Sequence, residues 1–187
     1  MKIAKNKKAT LIALFLVLTI TVTCVALPLA SAHYPAWNYT TYTYVAPSPV
    51  IVGVNQAVLI IWWLNAIPPT AAGAFGDRWK VYVDITAPDG SNETLGPLTS
   101  DPVGGGVSWY TPSQIGVYTV VARFLGQTIT GYPTPSGAPS TNAAVNDTYA
   151  ASTSKPAYFT VQQEQIPSYV ETPLPKDYWS RPVYDTN

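Results

Sequence analysis

The sequence predicts an all-β chain: an immunoglobulin-like β-sandwich of about seven strands, preceded by a signal helix and followed by an extended proline-rich tail. Three observations predict it. Beyond residue 32 no stretch keeps a helical period, and β-branched and aromatic residues fall instead in short runs between Pro, Gly, Asn and Asp clusters. The composition, with 18 prolines, 13 tyrosines, 6 tryptophans and only 11% charged residues, favours pleated strands over helices. The single cysteine, Cys24, lies in the leader, so no disulfide supports the body and a packed core must hold it. A body of 155 residues is long enough, since a domain of about 150 residues buries ~70% of its unfolded surface.

The leader comes first in the chain. Lys2, Lys5, Lys7 and Lys8 precede an apolar run from Leu11 to Leu29, and Ala30-Ser31-Ala32 closes it with small residues. This is the order of a cleavable secretion signal over residues 1–32, with Pro28 ending the apolar helix just before the cleavage site. Cleavage after Ala32 makes His33 the first residue. An uncleaved anchor is the rival reading, because the run approaches the ~20 apolar residues that span a bilayer. A lipid anchor at Cys24 fits poorly, since Thr23 stands where a small residue is wanted. Both leading readings put the body outside the membrane, secreted or at the cell surface, touching the membrane only through an uncleaved leader.

The elements follow in order. Residues 33–40 read as a tail, and 41–163 as the sandwich. The first strand, Thr41–Val45, is broken by Pro47 and Pro49 before a short piece at Val50–Val52, which suits a sheet edge. Ala57–Leu64 is apolar throughout and too short to span a membrane, so a central strand covered on both faces is expected. Asn65–Asp77 is an irregular loop. Trp79–Thr86 alternates, with Val81, Val83 and Ile85 on one face, and Ala87-Pro88-Asp89-Gly90 is a turn. Glu93–Leu98 and Val107–Tyr110 are weaker strands around a turn at Gly104–Gly106. Gly116–Leu125 is a strong strand, and Gln114 to Tyr118 matches a tyrosine corner. Ala157–Gln162 is the last strand. Gly131–Ser154, rich in Pro, Ser and Thr, reads as a long solvated insertion, and 164–187 as a proline-rich linker. A jelly roll or small barrel shares the pattern; the sandwich fits it better.

Charge and residue types narrow the function. Four of the ten basic residues lie in the leader, so the body carries six against ten acids, a net charge of −4. No basic face is available for nucleic acid. With His33 the only histidine, no Ser–His–Asp or Cys–His arrangement and no paired-histidine zinc site can form. The acids are scattered, without the spacing of an acid/base pair. A cleaved His33 would offer its amine and imidazole to copper, which wants three or four N/O donors, and no second histidine exists to join it. The chain is therefore expected to be non-catalytic, with no cofactor and no metal.

Two groups of residues remain as candidates. Sequons at Asn38, Asn92 and Asn146 make glycosylation of exposed tails or loops the expectation for an exported chain. Tyr34, Trp37, Tyr39, Tyr42 and Tyr44 form an aromatic row before and within the first strand, able to stack on sugars or dock a neighbour if exposed. Trp62, Trp63, Trp109 and Tyr118 are expected in the core.

A longer pattern runs through the body: Thr43-Tyr44-Val45, Ser48-Pro49, Gly53-Val54-Asn55-Gln56, Trp63-Leu64, Pro68-Pro69-Thr70 and Gly76-Asp77-Arg78-Trp79. It continues with Thr86-Ala87-Pro88-Asp89-Gly90, Glu93 to Pro97, Ser100-Asp101, Tyr110-Thr111-Pro112 and Gly116-Val117-Tyr118. This resembles the amino-terminal region of archaeal secreted proteins in which an Ig-like domain precedes a PQQ-binding-like β-propeller. The resemblance implies surface display, and implies that Pro173 to Pro182, with Tyr178 and Trp179, leads into a propeller near residue 187. It supplies no catalytic residue and no quinone site, since propeller repeats are absent from these residues. The expected function is a structural or interaction module that docks or spaces a propeller or surface-layer protein. A carbohydrate-binding or adhesion module using the Tyr/Trp row is the alternative, and a non-catalytic part of a quinoprotein-like enzyme the third reading.

Overall fold

The computed structural model describes residues 7–25, 33 and 35–167. Helix α1 spans Lys7–Val25 in the leader, and its Leu11, Leu14, Phe15 and Leu18 are exposed. Its first two residues are lysines, and among the described residues no helix is long and apolar enough to cross a membrane.

Among the described residues of the body the regular elements are strands: β1 (Asn38–Tyr39), β2 (Thr43–Ser48), β3 (Ile51–Gly53), β4 (Val58–Leu64), β5 (Lys80–Thr86), β6 (Asn92–Thr99), β7 (Gly105–Tyr110), β8 (Gly116–Phe124), β9 (Gln127–Thr128), β10 (Thr148–Tyr149), β11 (Ser152–Thr153) and β12 (Ala157–Gln162). They form two packed sheets. One has the order β2-β4-β7, and the other β3-β12-β8-β5-β6 with β11 beside β8. A small third set, β1-β10-β9, closes one end. Every pairing is antiparallel except β1 with β10 and β3 with β12.

This is the immunoglobulin-like sandwich that the strand pattern predicts. Its first strand switches sheets: β2 joins β4, and after Pro49 the chain crosses to pair β3 with β12. Both pieces lie on edges, as the prolines require. Pro47 itself sits within β2 opposite Ile60, and the strand runs on to Ser48 rather than stopping at Val45. It is tolerated because the hydrogen-bonded partners here include Tyr42 and Asn65. Alternation then turns the position of Pro47 away from β4, where a missing N–H leaves no gap in the ladder.

The core lies between the sheets. Val58, Ile60, Trp62 and Leu64 of β4 face Val81, Val83 and Ile85 of β5 and Tyr118, Val120, Ala122 and Phe124 of β8. Trp79, fully buried at the start of β5, packs edge-on to Phe124 at 5.5 Å, and its indole N–H donates to the Ala66 carbonyl at 2.7 Å. The tyrosine corner is present: the Gln114 backbone N–H donates to the Tyr118 hydroxyl at 3.0 Å. Among the described residues, the strands of the sandwich are drawn from residues 38–162.

Several expectations change. Gly105 and Gly106 belong to β7 and are not a turn. A Cβ on Gly106 would lie 2.2 Å from the Trp62 ring, so only glycine lets the buried indole lie against this strand. The segment 131–154 is not simply a solvated insertion, because Ala144, Asp147, Tyr149 and Ser154 are buried. Tyr149 stacks on Tyr39 at 4.8 Å and tilts against Trp79 at 4.7 Å, closing one end of the core. Residues 35–40 are likewise no free tail, since β1 pairs with β10 and the Trp37 N–H donates to Asp147 Oδ1 at 2.8 Å.

Candidate contact surface

Strand β4 decides where a functional surface can lie. Its inward residues are buried, but the opposite face is not covered as expected: Leu59 and Ile61 are half-buried and Trp63 is 40% exposed. The register places rows across this sheet. Tyr44 lies beside Trp63 and Gly105, Ala46 beside Ile61 and Val107, and Ser48 beside Leu59 and Trp109. Trp109, expected in the core, is 69% exposed, and Val107 is 58% exposed. The Tyr44 and Trp63 rings stack at 5.3 Å. The outer face of the three-stranded sheet is thus a continuous apolar and aromatic surface, and none of these residues carries a charge. Exposed contiguous apolar patches are uncommon on folded domains and mark contact sites where they occur. The sequence signal was the missing alternation of residues 57–64; at Trp109 the glycine run hid the strand parity that turns its ring outward.

Next to this face, Ile61, Trp63, Thr99, Asp101, Gly105 and Val107 surround an open hollow of about 620 Å³. Asp101 is committed there, its Oδ1 accepting from the N–H groups of Val103 and Gly105 at 3.0 Å. A groove of about 500 Å³ lies on the other side of β2, between Tyr42, Tyr44 and Val45 and the run Ser152–Ala157, with Lys155 in its wall.

The expected aromatic row is divided by the fold. Tyr42 and Tyr44 are exposed on the three-stranded sheet, at 58% and 42%. Trp37 is exposed at the opposite end of the row and stacks on His33 at 3.8 Å, with Tyr39 half-buried beside it. Tyr34, Tyr178 and Trp179 lie outside the described residues, as does the linker from residue 168 onward. Asn38, Asn92 and Asn146 are all exposed, although Asn38 and Asn92 begin strands and only Asn146 lies in a loop.

The buried polar groups are structural. Asp77 accepts from Thr70 Oγ1 (2.8 Å), Thr130 Oγ1 (3.0 Å) and the N–H groups of Thr130 and Gly131 (3.1 and 2.6 Å). It thereby ties the loop before Trp79 to the chain after β9. Asp147 holds His33 Nδ1 at 2.6 Å and the Trp37 N–H. Among the described residues no group of three or more His, Cys, Asp or Glu side chains could hold a metal.

The six-stranded sheet presents a different outer face. Asp84 and Arg123 form a bidentate ion pair across β5 and β8, with Arg123 Nη2 2.9 Å from Asp84 Oδ1. Thr94 donates to Asp84 at 2.7 Å, and Tyr82 lies under the guanidinium. The hydrogen bond from Arg123 is the main reason the Asp84 carboxyl titrates below its ordinary range. Asp89, in the turn before β6, is lowered to about 2, chiefly by the hydroxyl and then the backbone N–H of Ser91, with Gln114 adding a further bond.

No protein-family model matches the chain, and no curated protein matches it. Solved structures similar to it include a PKD domain of an M14-like peptidase from a Thermoplasmatales archaeon, at 14% identity and a TM-score of 0.31, covering 66% of this chain and 93% of that one. Another is a CARDB domain from Pyrococcus furiosus, described in complex with di-metal ions, at 17% identity and a TM-score of 0.28, covering 65% of this chain and 87% of that one. Likenesses of this strength leave the sandwich resting on its own strand order.

Proposed function

We propose that this chain is a non-catalytic extracellular interaction module that docks through the outer face of its three-stranded sheet. The observation that carries the reading is the uncharged surface of Tyr44, Ile61, Trp63, Val107 and Trp109, laid out in register on a rigid sheet. A sandwich that needed only to fold would alternate polar residues there, as antiparallel sheets with one wet face do. The occupant proposed is a neighbouring protein domain: a following β-propeller of the kind the sequence resemblance suggests, or a surface-layer protein. The leader is read as the export signal, cleaved after Ala32, and Asn38, Asn92 and Asn146 as exposed glycan acceptors away from that face.

The test is retention on the envelope of the cells that make the chain. Trp63→Ser with Ile61→Thr is expected to release it, by at least 10-fold in bound fraction, while Val121→Thr on the opposite sheet leaves retention unchanged. Equal retention of all three would sink the reading. Mass spectrometry of the recovered chain would check an N-terminus at His33 and glycan on the three asparagines.

The hollow beside Trp63 favours a second reading, carbohydrate binding, because it sets an indole beside Thr99 and Asp101. A glycan array probed with the body of the chain distinguishes the two; silence across diverse glycans removes this one.

A further inference from the structure

A sandwich of two open sheets has four edges, and each exposed edge invites another strand. Three are blocked here. β2 carries Pro47 at an outward position, β6 carries Pro97 and a register shift opposite Val81 and Val83, and β3 is three residues long with Gly53 pressed against the Gln165 backbone. The fourth, β7, has no proline, no charge and no bulge, and among the described residues β4 is its one strand partner.

The open groups of β7 can be assigned. The Leu64 N–H donates to the Gly104 carbonyl at 3.2 Å, so antiparallel alternation turns the N–H and C=O of Gly106, Ser108 and Tyr110 toward β4. Those of Gly105, Val107 and Trp109 point away. Gly105 is satisfied within the loop, its N–H by Asp101 Oδ1 and its carbonyl by the Asp101 N–H. Among the described residues the N–H and C=O of Val107 and Trp109 have no protein partner at this edge, and their side chains are the most exposed of the strand.

We propose that this edge pairs with the same edge of a second copy of the chain, antiparallel about a two-fold axis at Ser108. The open set is self-complementary: Val107 opposite Trp109 of the second copy, and Trp109 opposite its Val107, satisfy all of these groups in two hydrogen-bonded pairs. Each pair also sets a tryptophan against a β-branched residue on the outer face, a favourable cross-strand combination. No charge on β7 or on the rows beside it opposes the approach, although the body as a whole is acidic. The result is a six-stranded sheet of order β2-β4-β7-β7-β4-β2 with a doubled apolar face. The contact is small, below the ~1,200 Å² of standard interfaces, so the dimer forms and dissociates with concentration. This is independent of what the outer face binds.

The experiment is sedimentation equilibrium of residues 33–187 over a wide concentration range. The expected result is a mass rising toward twice the protomer, and a dissociation constant raised at least 10-fold by Val107→Pro, which removes an outward N–H as Pro47 does in β2. Trp109→Lys serves the same purpose if the proline variant fails to fold. The double variant Val107→Cys/Trp109→Cys is expected to form a disulfide-linked dimer on oxidation, because the pairing puts these positions opposite one another and residues 33–187 contain no other cysteine. A protomer at every concentration overturns the proposal. So does a dimer indifferent to both edge variants, or one that appears only after residues 168–187 are deleted, which would make that segment the occupant of the edge.

Discussion

The two outer faces of the sandwich are made from the same kind of strand and end in opposite surfaces. On the six-stranded sheet, the rows Thr94–Asp84–Val121 and Tyr82–Arg123–Thr153 alternate small apolar groups with an ion pair and hydroxyls. On the three-stranded sheet, the rows Tyr44–Trp63–Gly105 and Ala46–Ile61–Val107 offer no charge at all. Both sheets bury their inner faces equally well, so the difference owes nothing to folding. One face is finished in water. The other is left apolar, the face proposed to dock a partner.

The largest effect is expected where the apolar sheet meets the core. Gly106→Val drives a side chain into the Trp62 indole and should cost about 3 kcal/mol, read as a lowered thermal midpoint by circular dichroism. A loss within the noise would mean that the indole has room to move and the flat sheet is not fixed by this contact. Next, Asp84→Ala on the polar face breaks the pair with Arg123. Both groups are partly exposed and screened, so about 0.5–1 kcal/mol is expected in denaturant unfolding. A loss of several kcal/mol would make that face part of the structural support rather than a solvated surface.

Acid sharpens the same contrast. Asp84 and Asp89 both bind protons less tightly folded than unfolded. Their contribution is therefore whole above about pH 4 and fades as pH falls toward 2. Unfolding followed from pH 5 to pH 2 should show that slope, and Asp84→Asn should flatten it. The smallest effect is expected from the largest residue. Trp109→Thr should change stability by less than about 0.5 kcal/mol, as an exposed position does, while lowering the binding of an apolar dye. A cost near that of a core tryptophan would show that the ring is already covered.

Much of this was legible in the sequence. The alternation of Trp79–Thr86 and Gly116–Phe124 gave the buried residues directly, the tyrosine corner followed from Gln114 and Tyr118, and the prolines marked the edges. Illegible were the facts that depend on which strand lies beside which. Trp63 and Trp109 look like core residues because a large ring usually is one, and only the register of β2, β4 and β7 shows them sharing an outer face. Asp147 is hidden for another reason: a sequon in a Pro/Ser-rich stretch reads as surface, while the backbone folds its carboxylate onto His33 and Trp37, more than 100 residues away.

The switch of the first strand from one sheet to the other has a mechanical consequence. Because β3 runs parallel to β12, the chain enters the sandwich at the Thr43 end and leaves beyond Gln162 at the other. Tension applied through the two ends therefore slides β3 along β12 and strains the bonds between them together, instead of opening them one after another. The Gln56 side chain reinforces that joint, accepting from the Ile166 N–H at 3.0 Å and donating to its carbonyl at 3.0 Å. A module loaded in this way yields abruptly rather than gradually.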